Sequence, residues 1–214
     1  MTTGTETDHS RTIIDAAMTL AATRGWRQVT MADIAAAADL PLAQLHQTFR
    51  AKAEILTGLS RQADAEVLAE PVIDGGEESP RDRLFDVIMR RFDALAPYKP
   101  GIAALLRELP DASSAITLPH QLTNSMRWML EAADIDIAGL RGSIQAAGLA
   151  AIYANVMRTW LRDDSLDAAR TMSELDRQLR WAEQIMNSFG RRGRRPKQDT
   201  PETPAPPGAM DPSI

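Results

Sequence analysis

An all-helical protein is what this chain predicts, on two observations. Ala, Leu, Met and Arg are plentiful while aromatic residues make up only 5%, and almost no run of Val, Ile, Thr and Tyr alternates at period two as a half-buried strand requires. Apolar residues instead recur every three or four positions, the spacing that lines one face of an α-helix. With 214 residues, 44% of them apolar, the chain is globular in composition and fits one ordinary domain or two small units that share packing.

Each element follows in order. Ser10 is placed to cap a first helix over about 11–24, with Ile13, Ile14, Ala17, Met18, Leu20 and Ala21 on one face and Gly25 as the left-handed closing residue. Residues 1–9, polar and without an apolar stretch, read as a disordered N-terminus. Thr30 followed by Asp33 is a variant capping box, so a second helix starts at Met31 and runs through the alanines to Ala38. Asp39 takes the turn, where positive φ is often required, and Pro41 opens a short third helix over 41–48. Phe49, Ile55, Leu56 and Leu59 give that helix something to pack against, and a longer helix continues to about Glu70.

PVIDGGEESP, residues 71–80, breaks all periodicity and concentrates turn residues, so 71–79 reads as a linker between units covering 10–70 and 80–190. Ser79, Pro80 and Asp82 supply an N-cap, a first-turn proline and a negative charge at a helix start. The helix they open carries Leu84, Phe85, Val87, Ile88, Phe92 and Leu95, and Pro97 and Pro100 end it. Helices follow over 101–109 and 114–132, the latter started afresh near Pro119, and two long ones close the unit at 138–162 and 166–189. From 191 on, RRGRRPK and then a proline-rich run with no apolar face read as a disordered tail. The basic stretch is either a solvated terminus or an added phosphate clamp.

The ordered pattern I-x-D-A-A-x-x-L, G-W, V-T-M-x-D-I-A-x-A-A, L-x-Q-T-F and A-K-A-E-I-L between residues 12 and 59 resembles the TetR family of helical transcription regulators. The resemblance implies an N-terminal helix-turn-helix, a larger helical ligand domain and a homodimer formed by the last two long helices. It also implies that the third helix enters the major groove of an operator in double-stranded DNA, with the starts of the second and fourth helices on phosphates. On that basis Thr30 and Lys52 stand at phosphate-holding positions, and Gln44, His46 and Gln47 at base- or backbone-touching ones. The chain departs from the family at Asp39, Pro41, Leu42, Ala43 and His46, so a cap and a cation are missing from the reading helix. Each of these residues also has a plain structural reading: Thr30 as a helix cap, Lys52 as a surface lysine, and the other three as a solvated face.

Charge limits the phosphate contacts. The net charge is −5, whereas a chain that neutralises phosphates usually carries a basic surplus. Between 10 and 70, Arg11, Arg24, Arg27, Arg50, Lys52 and Arg61 face Asp15, Asp33, Asp39, Glu54, Asp64, Glu66 and Glu70, so the unit is close to neutral. A dimer using Arg27, Arg50 and Lys52 in each subunit would neutralise ~6 phosphates, giving moderate, salt-dependent binding.

The second unit carries a different resemblance. SPRDRLFDVIMRRFDAL at 79–95, AAIYANVM, and TWLRDDSLDAARTMSELDRQLRWAEQIM at 159–186 resemble the C-terminal domain of COQ9, a lipid-binding helper in ubiquinone biosynthesis that itself has a TetR-like fold. DIAGLRGS at 136–143 stands where that family has an Asn-Trp-Tyr run. The residues themselves place Met126, Trp128, Met129, Leu130, Ile152, Tyr153, Met157 and Trp160 on helices furnished with small residues. Thioethers beside aromatics form an adaptable apolar lining, or simply a core. Met126, Met129, Tyr153, Met157 and Trp160 are the candidates for an apolar small-molecule or lipid ligand. Asp163, Asp164 and Ser165 end one helix and cap the next.

Enzymatic chemistry is not expected. The three histidines, His9, His46 and His120, lie far apart, and none has metal-binding spacing or an evident nucleophile partner. Cysteine is absent, which removes disulfides and thiol chemistry and suits a reducing cytoplasm. No secretory or membrane-spanning stretch is evident, and no cofactor or metal is expected. The sequence therefore predicts a cytoplasmic, ligand-controlled regulator binding DNA as a homodimer. Its alternative is a COQ9-like lipid or isoprenoid-quinone binding protein that keeps the helix-turn-helix shape without the DNA function.

Overall fold

The computed structural model describes residues 3–69, 78–108, 117–165 and 167–193. Among them are nine α-helices, one 3-10 turn and no strand. In chain order they are α1 (Thr3–Arg24), α2 (Met31–Ala37), α3 (Leu42–Thr48), α4 (Lys52–Ala69) and α5 (Pro80–Leu95). A 3-10 turn (Ala96–Tyr98) follows, then α6 (Lys99–Glu108), α7 (Thr117–Ala132), α8 (Gly139–Trp160) and α9 (Ala169–Gly193).

Local signals act as the residue types require. Thr30 Oγ1 accepts the Asp33 N–H at 3.1 Å while the Asp33 carboxylate accepts the Thr30 N–H at 2.9 Å, a complete capping box that starts α2. The Thr30 hydroxyl and then the Thr30 N–H, both donating to that carboxylate, hold the Asp33 carboxyl below its usual range. Asp39 adopts φ 53 in the turn between α2 and α3, and Gly25 adopts φ 84 after α1. Ser79 caps α5 by accepting the Asp82 N–H, with Pro80 in the first turn.

Three sequence expectations are corrected. The helix expected from Ser10 begins at Thr3, so Ser10 lies inside α1 and the N-terminus expected to be disordered is helical from that point. The extra turns have a tertiary partner, because the His9 ring meets Gln44 on α3. Pro41 is the N-cap of α3 rather than its first helical residue. As expected, α5 ends at Leu95, just before Pro97; Pro97 and Pro100 then sit in the 3-10 turn and the first turn of α6, where a missing N–H is tolerated. The last helix starts at Ala169, after Ala168 at φ 52, and continues to Gly193, beyond the start expected for the tail. Most of the expected linker, Leu166 and the rest of the tail lie outside the described residues.

One apolar core runs from α1 to α9. Ile13, Ile14, Ala17 and Met18 of α1 close over Ile34, Leu45 and Ile55, and the same cluster continues through Val87, Ile88, Phe92, Met126, Met129, Tyr153 and Leu175. α1 and α6 lie side by side and parallel. The Tyr98 hydroxyl donates to Asp15 at 2.7 Å, a Cβ on Gly101 would sit 2.6 Å from the Met18 carbonyl oxygen, and one on Gly25 would sit 2.2 Å from Glu108 Oε1. All three pairs are 83 positions apart, so the two helices keep one register along their length. Gly101 is therefore required for backbone-to-backbone approach rather than for its dihedral freedom.

Candidate nucleic-acid interface

α2, the Asp39 turn and α3 form a helix-turn-helix. Leu45 anchors α3 at 0% exposure, and Phe49 closes it at 7%. Burying Leu45 fixes which positions face outward: Leu42, Ala43, His46 and Gln47 are exposed. None of the four carries a formal positive charge at neutral pH with histidine neutral.

The predicted DNA-facing residues divide. His46 and Gln47 stand together on the outer face of α3, and Arg27, Thr30 and Arg50 are exposed as well. Thr30 Oγ1 also donates to Asp33 Oδ2 at 2.5 Å, so its hydroxyl is already engaged in the cap. Gln44 turns away from the outer face: it is half-buried, and its Nε2 lies 2.9 Å from His9 Nδ1. Its role in the structure is to tie α3 to α1.

Lys52 is also drawn inward. Its ammonium donates to the Trp26 carbonyl and, at 2.7 Å, to the Val29 carbonyl, while lying 4.5 Å from the centre of the Trp26 ring. Partial burial lowers its pKa, opposed by the nearby Glu108 carboxylate. An ammonium has three donors, so two are committed to the 25–29 turn. From the other side Glu108, the last residue of α6, accepts the Arg27 N–H at 2.7 Å. The turn that leads into Thr30 is thus gripped by α4 and by α6 together.

The predicted ligand lining is packed side chain on side chain. Met126 and Met129 are fully buried, Tyr153 and Trp160 nearly so, and Met157 is half-buried. The Phe92 ring lies against both aromatics, stacked 4.9 Å from Tyr153 and tilted by 34° at 5.4 Å from Trp160. Trp128, grouped with them on sequence, points outward at 54% exposure. A surface groove of about 520 Å³ lies elsewhere, between α1, α4 and the α5–α6 corner, lined by Arg11, Asp15, Gln62, Glu66, Asp93 and Tyr98 among others.

Sequence reasoning missed a buried polar node. Arg91 of α5, 2% exposed, donates to Asp64 Oδ1 at 2.8 Å, to Ser60 Oγ at 2.9 Å and to the Tyr153 hydroxyl. Ser125 of α7 donates to the same Asp64 oxygen at 2.6 Å. Burial opposes the Arg91 charge, but Tyr153 and Asp64 outweigh it and raise the guanidinium pKa; burial likewise raises that of Tyr153. The sequence signal was available: Arg91 falls on the apolar stripe of α5, between Val87 and Leu95. Asp163, expected only to end a helix and cap the next, is a buried acid, 3% exposed. It accepts from the Ser165 hydroxyl, from the Thr171 N–H at 2.8 Å and from the Thr171 hydroxyl at 2.7 Å, and these bonds lower its pKa strongly.

No group of His, Cys, Asp and Glu able to hold a metal occurs among the described residues. No helix among them is long and apolar enough to cross a membrane.

Residues 13–59 match the family described as bacterial regulatory proteins, tetR family. Two solved structures share the fold. A TetR transcriptional regulator from Nitrosomonas europaea is 27% identical, covers 81% of this chain and 97% of its own, and has a TM-score of 0.65. A TetR transcriptional regulator from a Rhodococcus species is 18% identical, with coverages of 81% and 94% and a TM-score of 0.58. No curated protein matches the chain.

Proposed function

We propose that this chain is a TetR-type DNA-binding transcriptional regulator acting as a homodimer. The observation that carries the reading is the α2–α3 pair. Its second helix is anchored by Leu45 and presents His46 and Gln47 outward, inside a segment similar to tetR-family regulators over residues 13–59. α3 enters the major groove, His46 and Gln47 bond base edges or backbone, and Arg27 and Arg50 flank them on phosphates. Thr30 contributes the start of α2, and Lys52 mainly holds the turn that presents it.

The pairing surface is the outer side of α8 and α9. Leu140 is 79% exposed, Ile144 61% and Trp181 63%, and a Cβ on Gly148 would meet nothing within 4 Å. Such apolar exposure on the two long C-terminal helices is what a subunit interface covers. Twofold pairing sets the separation of the two reading helices. A ligand with different affinity for two such separations changes operator affinity, with typical coupling of about 1–3 kcal/mol. The proposed effector is apolar and enters among Met126, Met129, Tyr153, Met157 and Trp160 by displacing side chains that now fill the space.

Fluorescence anisotropy with DNA from upstream of the protein's own gene, across a salt series, tests the regulator. Two exposed arginines per subunit give about four phosphate contacts per dimer, hence a log–log salt slope near −4. Ile144→Glu should leave a folded monomer with little operator affinity. Absence of both specific and nonspecific association at low salt would falsify the reading. Mass spectrometry of molecules co-purifying with the protein tests the effector, and an isoprenoid quinone together with no DNA binding would favour the COQ9-like alternative.

A further inference from the structure

Leu42 is the first residue of α3 and is 52% exposed, whereas Leu45, one turn on, is completely buried. Packing therefore explains Leu45 and leaves Leu42 without a task in the single chain. Ala43 beside it is exposed too, and His46 and Gln47 stand one turn further along the same face. The outer face of α3 is thus apolar at its N-terminal end and neutral-polar at its C-terminal end. No arginine or lysine lies within α3 to pair with guanine, and Gln44, which would suit adenine, is turned to His9.

We propose that Leu42 determines operator specificity by packing against the C5-methyl group of a thymine in the major groove. This rests on the DNA-binding reading above and adds to it the base that the protein selects. The N-terminal residues of a reading helix approach base edges most closely. The thymine methyl is the apolar group on the edges displayed in that groove, which otherwise present hydrogen-bond donors and acceptors. A leucine pressed against the cytosine amino donor or the polar edge of a purine would desolvate those groups without compensation, so cytosine or a purine at that position is disfavoured. Exposed His46 and Gln47 supply the polar contacts further along, which suits this occupant better than a wholly apolar protein surface.

The test starts by selecting duplexes with the full-length protein from a random-sequence library. Each thymine of the selected site is then replaced singly by deoxyuridine, which removes only the methyl group. Wild-type protein should lose about three- to fivefold in affinity at one thymine per half-site, the size expected for one buried methyl. Leu42→Ala should bind the thymine and uracil duplexes equally, near the wild-type affinity for uracil, with unchanged helicity and melting temperature. A uracil penalty that persists undiminished in Leu42→Ala, or uracil tolerance at every position of an enriched site, overturns this inference and leaves DNA binding standing. A Leu42→Ala variant that changes oligomeric state but not base preference also overturns it, by making the residue a protein contact. If no sequence is enriched, DNA reading itself fails.

Discussion

The outer face of α3 and the junction of α4 with α5 handle charge in opposite ways. α3 shows solvent four side chains without a formal charge, while the junction encloses Arg91 at 2% exposure with Asp64, Ser60 and Tyr153 around it. A buried ion pair needs every donor answered, and its geometry then specifies one arrangement of the helices that contribute to it. A neutral outer face leaves contact geometry, rather than net attraction, to choose a partner. Cations here need not face solvent: Arg91 and Lys52 both serve internal contacts.

The largest effect should come from breaking the junction. Arg91→Met leaves Asp64 with its Ser125 contact but without its cation, and should lower the unfolding free energy by about 3–5 kcal/mol in urea titration. Adding Asp64→Leu should recover most of that loss, since replacing both partners by apolar groups is far milder than removing one.

Asp163→Ala comes next, at about 3 kcal/mol, because several donors to a buried carboxylate lose their acceptor. Its pH dependence has a definite sign. The folded pKa is depressed, so the stabilisation is fully present above the unfolded Asp value of about 3.9 and is lost as pH falls through the folded value. The difference in stability between wild type and variant should be constant from about pH 5 to 8 and shrink below about pH 4.

Thr30→Ala should cost about 1 kcal/mol through loss of the α2 cap, measurable as a fall in melting temperature. Smallest in stability is His46→Ala, expected within about 0.5 kcal/mol of wild type because the side chain is exposed and supports no packing. Its DNA affinity should fall nonetheless. Equal loss of stability and affinity in that variant would place His46 in the core rather than on the reading face, and the contrast drawn above would collapse.

What was legible in the sequence was local. The Thr30 and Asp33 box, the Asp39 turn and the Ser79, Pro80, Asp82 helix start lie within three or four positions of one another, so residue types alone imply their bonds. The outward placement of His46 and Gln47 followed from the spacing that buries Leu45. What escaped depends on distant partners. Gln44 meets a residue 35 positions away, Lys52 meets carbonyls 26 and 23 positions away, and Arg91 meets Tyr153 across 62. Helical periodicity says which side of a helix is covered but not by what. The packing around Tyr153 and Trp160 was hidden for the same reason, since the Phe92 ring that lies against both comes from another helix.

The shared register of α1 and α6 has a consequence for biogenesis. Contacts spanning 83 positions oblige the first helix to wait for the sixth, so α1 to α4 complete their packing only after much of the body has been synthesised. A fragment ending at residue 69, which keeps α1 to α4, should be soft beneath Met18, with fast amide exchange there.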